Sequence, residues 1–140
     1  MDTRILVIDG QGGQLGSQLV KELLAKFSDI QITAVGTNSA ATAAMLKAGA
    51  DQAATGENAI RVCAARADII LAPIGMVLAD AMLGEVTAEM AVAIGRSPAH
   101  KILVPMSRCQ LTVAGIPPMT AGEAIEAAVQ EAVRRITAAK

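Results

Sequence analysis

An aliphatic run ending in an acid, four closely spaced glycines, and then an immediate switch to helical spacing leave a chain few ways to fold. Arg4-Ile5-Leu6-Val7-Ile8-Asp9 is short, apolar and closed by glycine, the pattern of a buried strand. Gly10-Gln11-Gly12-Gly13 follows directly. From residue 14 to 27 the period changes: Leu15, Leu19, Leu23, Leu24 and Phe27 recur at helical spacing and form one apolar stripe. Strand, glycine turn and helix in direct succession are the opening of a βαβ unit.

The same alternation continues. Residues 30–35 alternate apolar and polar and run into Gly36, predicting a second strand. An alanine-rich helix is expected over 39–48, stopped by Gly49, then a short extended piece near 51–54 and a helix to about residue 67. Residues 68–72 read as a fully buried strand closed by Pro73, and 101–105 as another. The stretch 76–95 suggests two short helices broken at Gly84, with Thr87 capping the second. Residues 110–114 suggest an edge strand, and 120–138 carry the stripe of a final helix. Strands alternating with helices imply a mostly parallel sheet covered on both faces. The expected architecture is α/β: a single Rossmann-like three-layer domain over residues 1–140.

Composition narrows the function. The chain is 53% hydrophobic with net charge −1, which argues against disorder. The longest uncharged apolar stretch, 69–79, contains Pro73 and Gly75 and is closed by Asp80, whereas a spanning helix needs about 20 apolar residues. Nothing near Asp2 and Arg4 has a signal-peptide layout, and Cys63 and Cys109 are isolated, so a cytoplasmic protein without a disulfide or cysteine metal site is expected. Phe27 is the sole aromatic residue, which removes the stacking platforms of single-strand nucleic-acid binders. Near-zero net charge argues against duplex binding, which relies on clustered Lys and Arg, so no nucleic-acid partner is expected. The apolar excess, together with the Met-rich stretch 76–95, suggests a homo-oligomer.

Ligands of an open parallel sheet bind beyond the carboxyl ends of its strands. Those turns hold Asp9, Gly10, Gln11, Gly12 and Gly13 after the first strand, and Thr37 and Asn38 after the second. Thr55, Glu57 and Asn58 follow the third, and Arg108 the fifth. Glycine permits positive φ and close approach to backbone, and N–H groups at a helix start favour an anion. The turn nevertheless departs from known fingerprints. Leu15 stands where GxGxxG needs glycine, and no acid ends the second strand to bind a ribose hydroxyl. Gly16-Ser17-Gln18 lacks the lysine of a Walker A loop. Asp9 would repel a bare phosphate. It can instead brace the loop through N–H groups, accept a ribose hydroxyl, or hold Mg²⁺ through water.

Common catalytic sets are absent from the pattern. His100, the sole histidine, precedes the fifth strand and so falls at the opposite edge. Cys109 beside Arg108 is at the correct edge, where a buried inert cysteine is the simpler reading. Arg108 is the one cation in these turns. It serves equally as an anion clamp or as the partner of Glu57 or Asp9.

The chain resembles a family of short bacterial proteins designated domain of unknown function 3842. The resemblance rests on Ile8-Asp9-Gly10-Gln11-Gly12-Gly13, Gly36-Thr37-Asn38, Ala43-Ala44-Met45-Leu46-Lys47-Ala48-Gly49-Ala50 and Ala54-Thr55-Gly56-Glu57-Asn58-Ala59-Ile60. It continues through Pro73-Ile74-Gly75, Met82-Leu83-Gly84-Glu85 and Arg108-Cys109. It implies a Rossmann-like fold and a bacterial source and assigns no activity. The leading expectation is a small-molecule binding domain for a nucleotide or other phosphate-bearing metabolite, held at the glycine turn. The alternatives are an enzyme using the same pocket, with Glu57 or Asp9 as acid/base and Arg108 stabilising charge, or a structural or regulatory subunit.

Overall fold

The computed structural model describes residues 3–106 and 110–139. Strands and helices alternate in the order β1 (Arg4–Asp9), α1 (Gln14–Lys26), β2 (Gln31–Gly36), α2 (Ser39–Lys47), β3 (Gln52–Thr55) and α3 (Glu57–Arg66). They continue with β4 (Ile69–Pro73), a 3₁₀ turn (Ile74–Val77), α4 (Ala88–Arg96), β5 (His100–Val104) and α5 (Ala121–Ala139). The sheet order is β3-β2-β1-β4-β5, and every neighbouring pair is parallel. The fold is α/β and Rossmann-like. Chain direction across the sheet reverses between β1 and β4, and a crevice opens at such a switch point.

Strand alternation builds a core on each face. Ile5 and Val7 of β1 pack with Leu19 and Leu23 of α1, Met45 of α2, and Ile125, Val129 and Ile136 of α5. Leu6 and Ile8 point the other way, toward Ile60 of α3 and Met90 and Ile94 of α4. Helices α1, α2 and α5 thus cover one face and α3 and α4 the other. Ser97 ties the second face together, donating to the Ala64 carbonyl at 2.6 Å and accepting from Ala99 N–H at 3.0 Å. Among the described residues no helix is long and apolar enough to cross a membrane.

Two expected elements differ. Residues 110–114 form no strand; they are exposed and irregular. The first of the two helices expected within 76–95 is replaced by the 3₁₀ turn and a run of tight turns, because Asp80, Met82, Leu83 and Gly84 take φ of 69°, 57°, 58° and 93°, which no right-handed helix accommodates. The second forms where Thr87 predicts it: its side chain accepts from Met90 N–H at 3.1 Å. Met76, Val86, Met90 and Ile94 are core residues.

Candidate functional site

The glycine turn sits at the carboxyl end of the central strand, beside the switch point. Asp9, 5% exposed, spans it: Oδ1 accepts the Gly10 N–H at 2.8 Å and Oδ2 the Gly16 N–H at 2.7 Å. Burial raises its pKa, the two backbone hydrogen bonds oppose that rise, and the nearby Glu85 charge adds to it. Gly13 N–H closes the turn on the Gly10 carbonyl at 2.9 Å. Gly13 has φ 74°, and a Cβ there would stand 2.8 Å from Ala41 Cα, so position 13 requires glycine on both counts. Gly12 has open space around it.

Gly10, Gln11, Gly13 and Gly16 spend their N–H groups on Asp9, Glu85, the Gly10 carbonyl and Asp9. Among the described residues the N–H groups of Gly12, Gln14 and Leu15 have no acceptor. All three residues line an open cleft of about 920 Å³. It is also lined by Val104, Pro105 and Met106 at the end of β5, and by Met119, Thr120 and Ala121 at the start of α5. Thr120 and Glu123 form a reciprocal cap: Thr120 N–H donates to Glu123 at 2.8 Å, and Glu123 N–H donates to Thr120 Oγ1 at 3.1 Å. Two helix starts therefore border one cleft, and the exposed Lys21 adds a full positive charge to its rim. A smaller depression of about 160 Å³, lined in part by Arg4, Gln31 and Arg66, lies at the amino edge of the sheet, away from the turn.

The expected site residues divide into groups. Asp9, Gly10, Gln11, Gly12 and Gly13 line the cleft. Thr37 and Asn38 lie beside the same turn but face Glu85: Thr37 Oγ1 donates to its Oε1 at 2.7 Å and Asn38 Nδ2 at 2.9 Å. Gln11 N–H donates to that oxygen at 2.8 Å. These donors hold the Glu85 carboxyl below its usual pKa, the Gln11 bond contributing most.

Thr55, Glu57 and Asn58 are not among the residues lining the cleft. Thr55 shares a 2.7 Å hydrogen bond with Thr42, Glu57 accepts from Thr87 at 2.6 Å, and Asn58 accepts from Arg61. Arg108 and Cys109 lie outside the described residues. His100 opens β5 at the amino edge.

Sequence reasoning did not single out Glu85, Lys21 or Thr120 as site residues. Two signals were available: Gln14, Gln18 and Lys21 recur at i, i+4 and i+7 along α1, and Thr120 to Glu123 has capping-box spacing. Glu85 carries no such mark, since turns rather than periodicity deliver it.

The chain belongs to the family described as Domain of unknown function (DUF3842), which matches residues 4–137. No curated protein matches it. Among solved structures, it is similar to the dodecameric FMN-dependent UbiX-like decarboxylase of Escherichia coli O157:H7, with 15% identity, a TM-score of 0.51, and coverage of 94% of this chain and 93% of that one. That likeness concerns the fold. An imine reductase from Myxococcus stipitatus, V8 variant, in complex with NAD⁺, is 25% identical over 76% of this chain and 32% of its own, with a TM-score of 0.46.

Proposed function

We propose that this protein binds a small phosphate-bearing molecule, a nucleotide or phosphorylated metabolite, in the cleft over the glycine turn. The observation that carries the reading is the set of N–H groups of Gly12, Gln14 and Leu15, which have no acceptor among the described residues and belong to residues lining a cleft of about 920 Å³. That volume suits a ligand of nucleotide size. The start of α5 and Lys21 add positive potential to the same cleft. Asp9 does not oppose an anion there as a free charge would, because the Gly10 and Gly16 N–H groups compensate both its oxygens.

Native mass spectrometry of the protein as purified, followed by calorimetry with nucleoside monophosphates, FMN and sugar phosphates, tests this reading. FMN joins the panel because the E. coli neighbour is named for it. Binding that is lost in Gly12→Val is the expected result. Absence of both a co-purified ligand and any binding across the panel overturns it. We also propose that the protein works in the cytoplasm, where such ligands are abundant.

We also propose self-association through residues 110–119. Leu111, Val113, Ile116 and Met119 are all exposed there, beside the cleft, and the stretch 76–95 adds exposed Leu83 and Val92 while it buries Met76 and Met90. Sedimentation velocity that finds only monomer at micromolar concentration overturns this.

A further inference from the structure

The loop over residues 78–86 is built against its own local preferences. Asp80, Met82 and Leu83 are non-glycine residues with positive φ, and Leu83 is 100% exposed. The loop is anchored below by Met76 and Val86, both fully buried. It is seated above on Gly10, where a Cβ would stand 2.7 Å from Met82 Sδ, 2.8 Å from Thr37 Oγ1 and 3.1 Å from Glu85 Oε1. Gly10 is not in the positive-φ region, so here glycine supplies room for the loop and not backbone freedom.

This seating brings one oxygen to the focus of three donors. Glu85 Oε1 accepts from the Gln11 N–H at 2.8 Å, Thr37 Oγ1 at 2.7 Å and Asn38 Nδ2 at 2.9 Å. The donors come from the glycine turn and from the end of β2. They converge from separate segments on a single anionic oxygen, and each contact is a charge-assisted hydrogen bond. The Asp9 carboxylate, close enough to feel the Glu85 charge, is engaged by Gly10 and Gly16.

We propose that Gln11, Thr37 and Asn38 form a second anion subsite, occupied in this structure by the chain's own Glu85 and open to a ligand oxyanion when the 78–86 loop swings away. The inference rests on the reading of the cleft as a phosphate site and extends it. Gly12 and Gln11 are consecutive, so the open subsite and the Glu85-filled subsite are adjacent along one turn. A ligand with two linked anionic groups, such as a diphosphate, fills both. A monoanionic ligand fills the first and leaves Glu85 in place.

Inorganic pyrophosphate is the probe, titrated into the wild type, Glu85→Ala and Glu85→Gln and followed by calorimetry and by the backbone amide signals. Glu85→Gln retains a carbonyl oxygen for the three donors and keeps the loop seated, which guards against a merely misfolded loop in Glu85→Ala. Pyrophosphate affinity is expected to rise roughly tenfold in Glu85→Ala and less in Glu85→Gln, the scale of one charge-assisted contact. In Glu85→Ala the Gln11, Thr37 and Asn38 signals should move along with Gly12, Gln14 and Leu15. Binding in the variants but not in the wild type also supports the latch. Equal affinity in all three proteins, with the Gln11 signal unmoved, overturns the second subsite and leaves the cleft reading intact. No binding in any of them overturns both.

Discussion

Asp9 Oδ2 accepts the Gly16 N–H at 2.7 Å, joining the last residue of β1 to the first turn of α1 across the whole glycine turn. Its other oxygen holds Gly10 at 2.8 Å. The acid that looks ill-placed beside an anion site therefore sets the turn's shape, and by taking those two donors it decides which N–H groups remain for a ligand.

Asp9→Ala leaves two buried N–H groups without an acceptor, and each such loss costs about 1–3 kcal/mol. We expect the variant to lose about 2–4 kcal/mol in urea denaturation, with Asp9→Asn little better, since its amide NH₂ faces a donor. A change within about 0.5 kcal/mol would show that the turn holds itself without the carboxylate.

Asp9 and Glu85 should give opposite pH dependences. Glu85 titrates below its ordinary value, so its contribution to stability is present above the unfolded pKa and is lost as pH falls through the folded one. Asp9 titrates above its ordinary value, so the folded state holds its proton more tightly and stability declines as pH rises from the usual Asp range to the raised folded pKa. Urea midpoints across the acid range should show the advantage of wild type over Glu85→Gln shrinking as pH falls. Wild type should gain on Asp9→Asn over the same descent. Parallel trends in both comparisons would contradict the assignment of either carboxylate.

Gly12 and Gly13 look equivalent in the sequence, where a side chain at either is expected to block a ligand and leave the fold intact. The structure separates them. A Cβ at Gly12 meets nothing within 4 Å, whereas Gly13 has φ 74° and Ala41 backbone at 2.8 Å. Gly12→Val should stay within about 1 kcal/mol of wild type and lose ligand, because its side chain enters the cleft. Gly13→Val should lose several times that stability, about 3 kcal/mol or more, through strain and overlap. Equal melting temperatures for the two variants would refute the distinction.

Residues 4–27 were legible because a strand period gives way to a helix period at a glycine turn, and the alternation of elements predicted a parallel sheet with helices on both faces. Strand order was not legible, and this is why Thr55, Glu57 and Asn58 were collected with the turn. They do follow a strand's carboxyl end, but β3 is an edge strand, separated from β1 by β2, and the cleft opens on the β5 side. The 78–86 loop was missed for another reason. Its left-handed positions include Met82 and Leu83, residue types that give no warning of a turn, and Asp80 in the sequence reads as the charge that closes an apolar stretch. Gly84 marks the break and reads equally as a helix boundary.

Lys21 provides the most direct test of charge at the cleft. It lies on the polar stripe of α1 with Gln14 and Gln18, lines the cleft, and is exposed, so replacing it removes charge without disturbing packing. An exposed lysine facing a phosphate acts as a point charge, screened by salt and spared the cost of burial. Lys21→Gln should weaken binding of a nucleoside monophosphate about three- to tenfold, corresponding to roughly 0.7–1.4 kcal/mol, and leave the melting temperature of the free protein unchanged. The variant should also lose part of the salt dependence of binding, because fewer ion contacts remain to be screened. Thr120→Ala is the complementary change at the other helix start. It removes the cap of α5 and should cost about 1 kcal/mol of stability as well as affinity. If Lys21→Gln binds like wild type at both low and high salt, the rim charge plays no part, and the turn and the start of α5 alone must hold the anion.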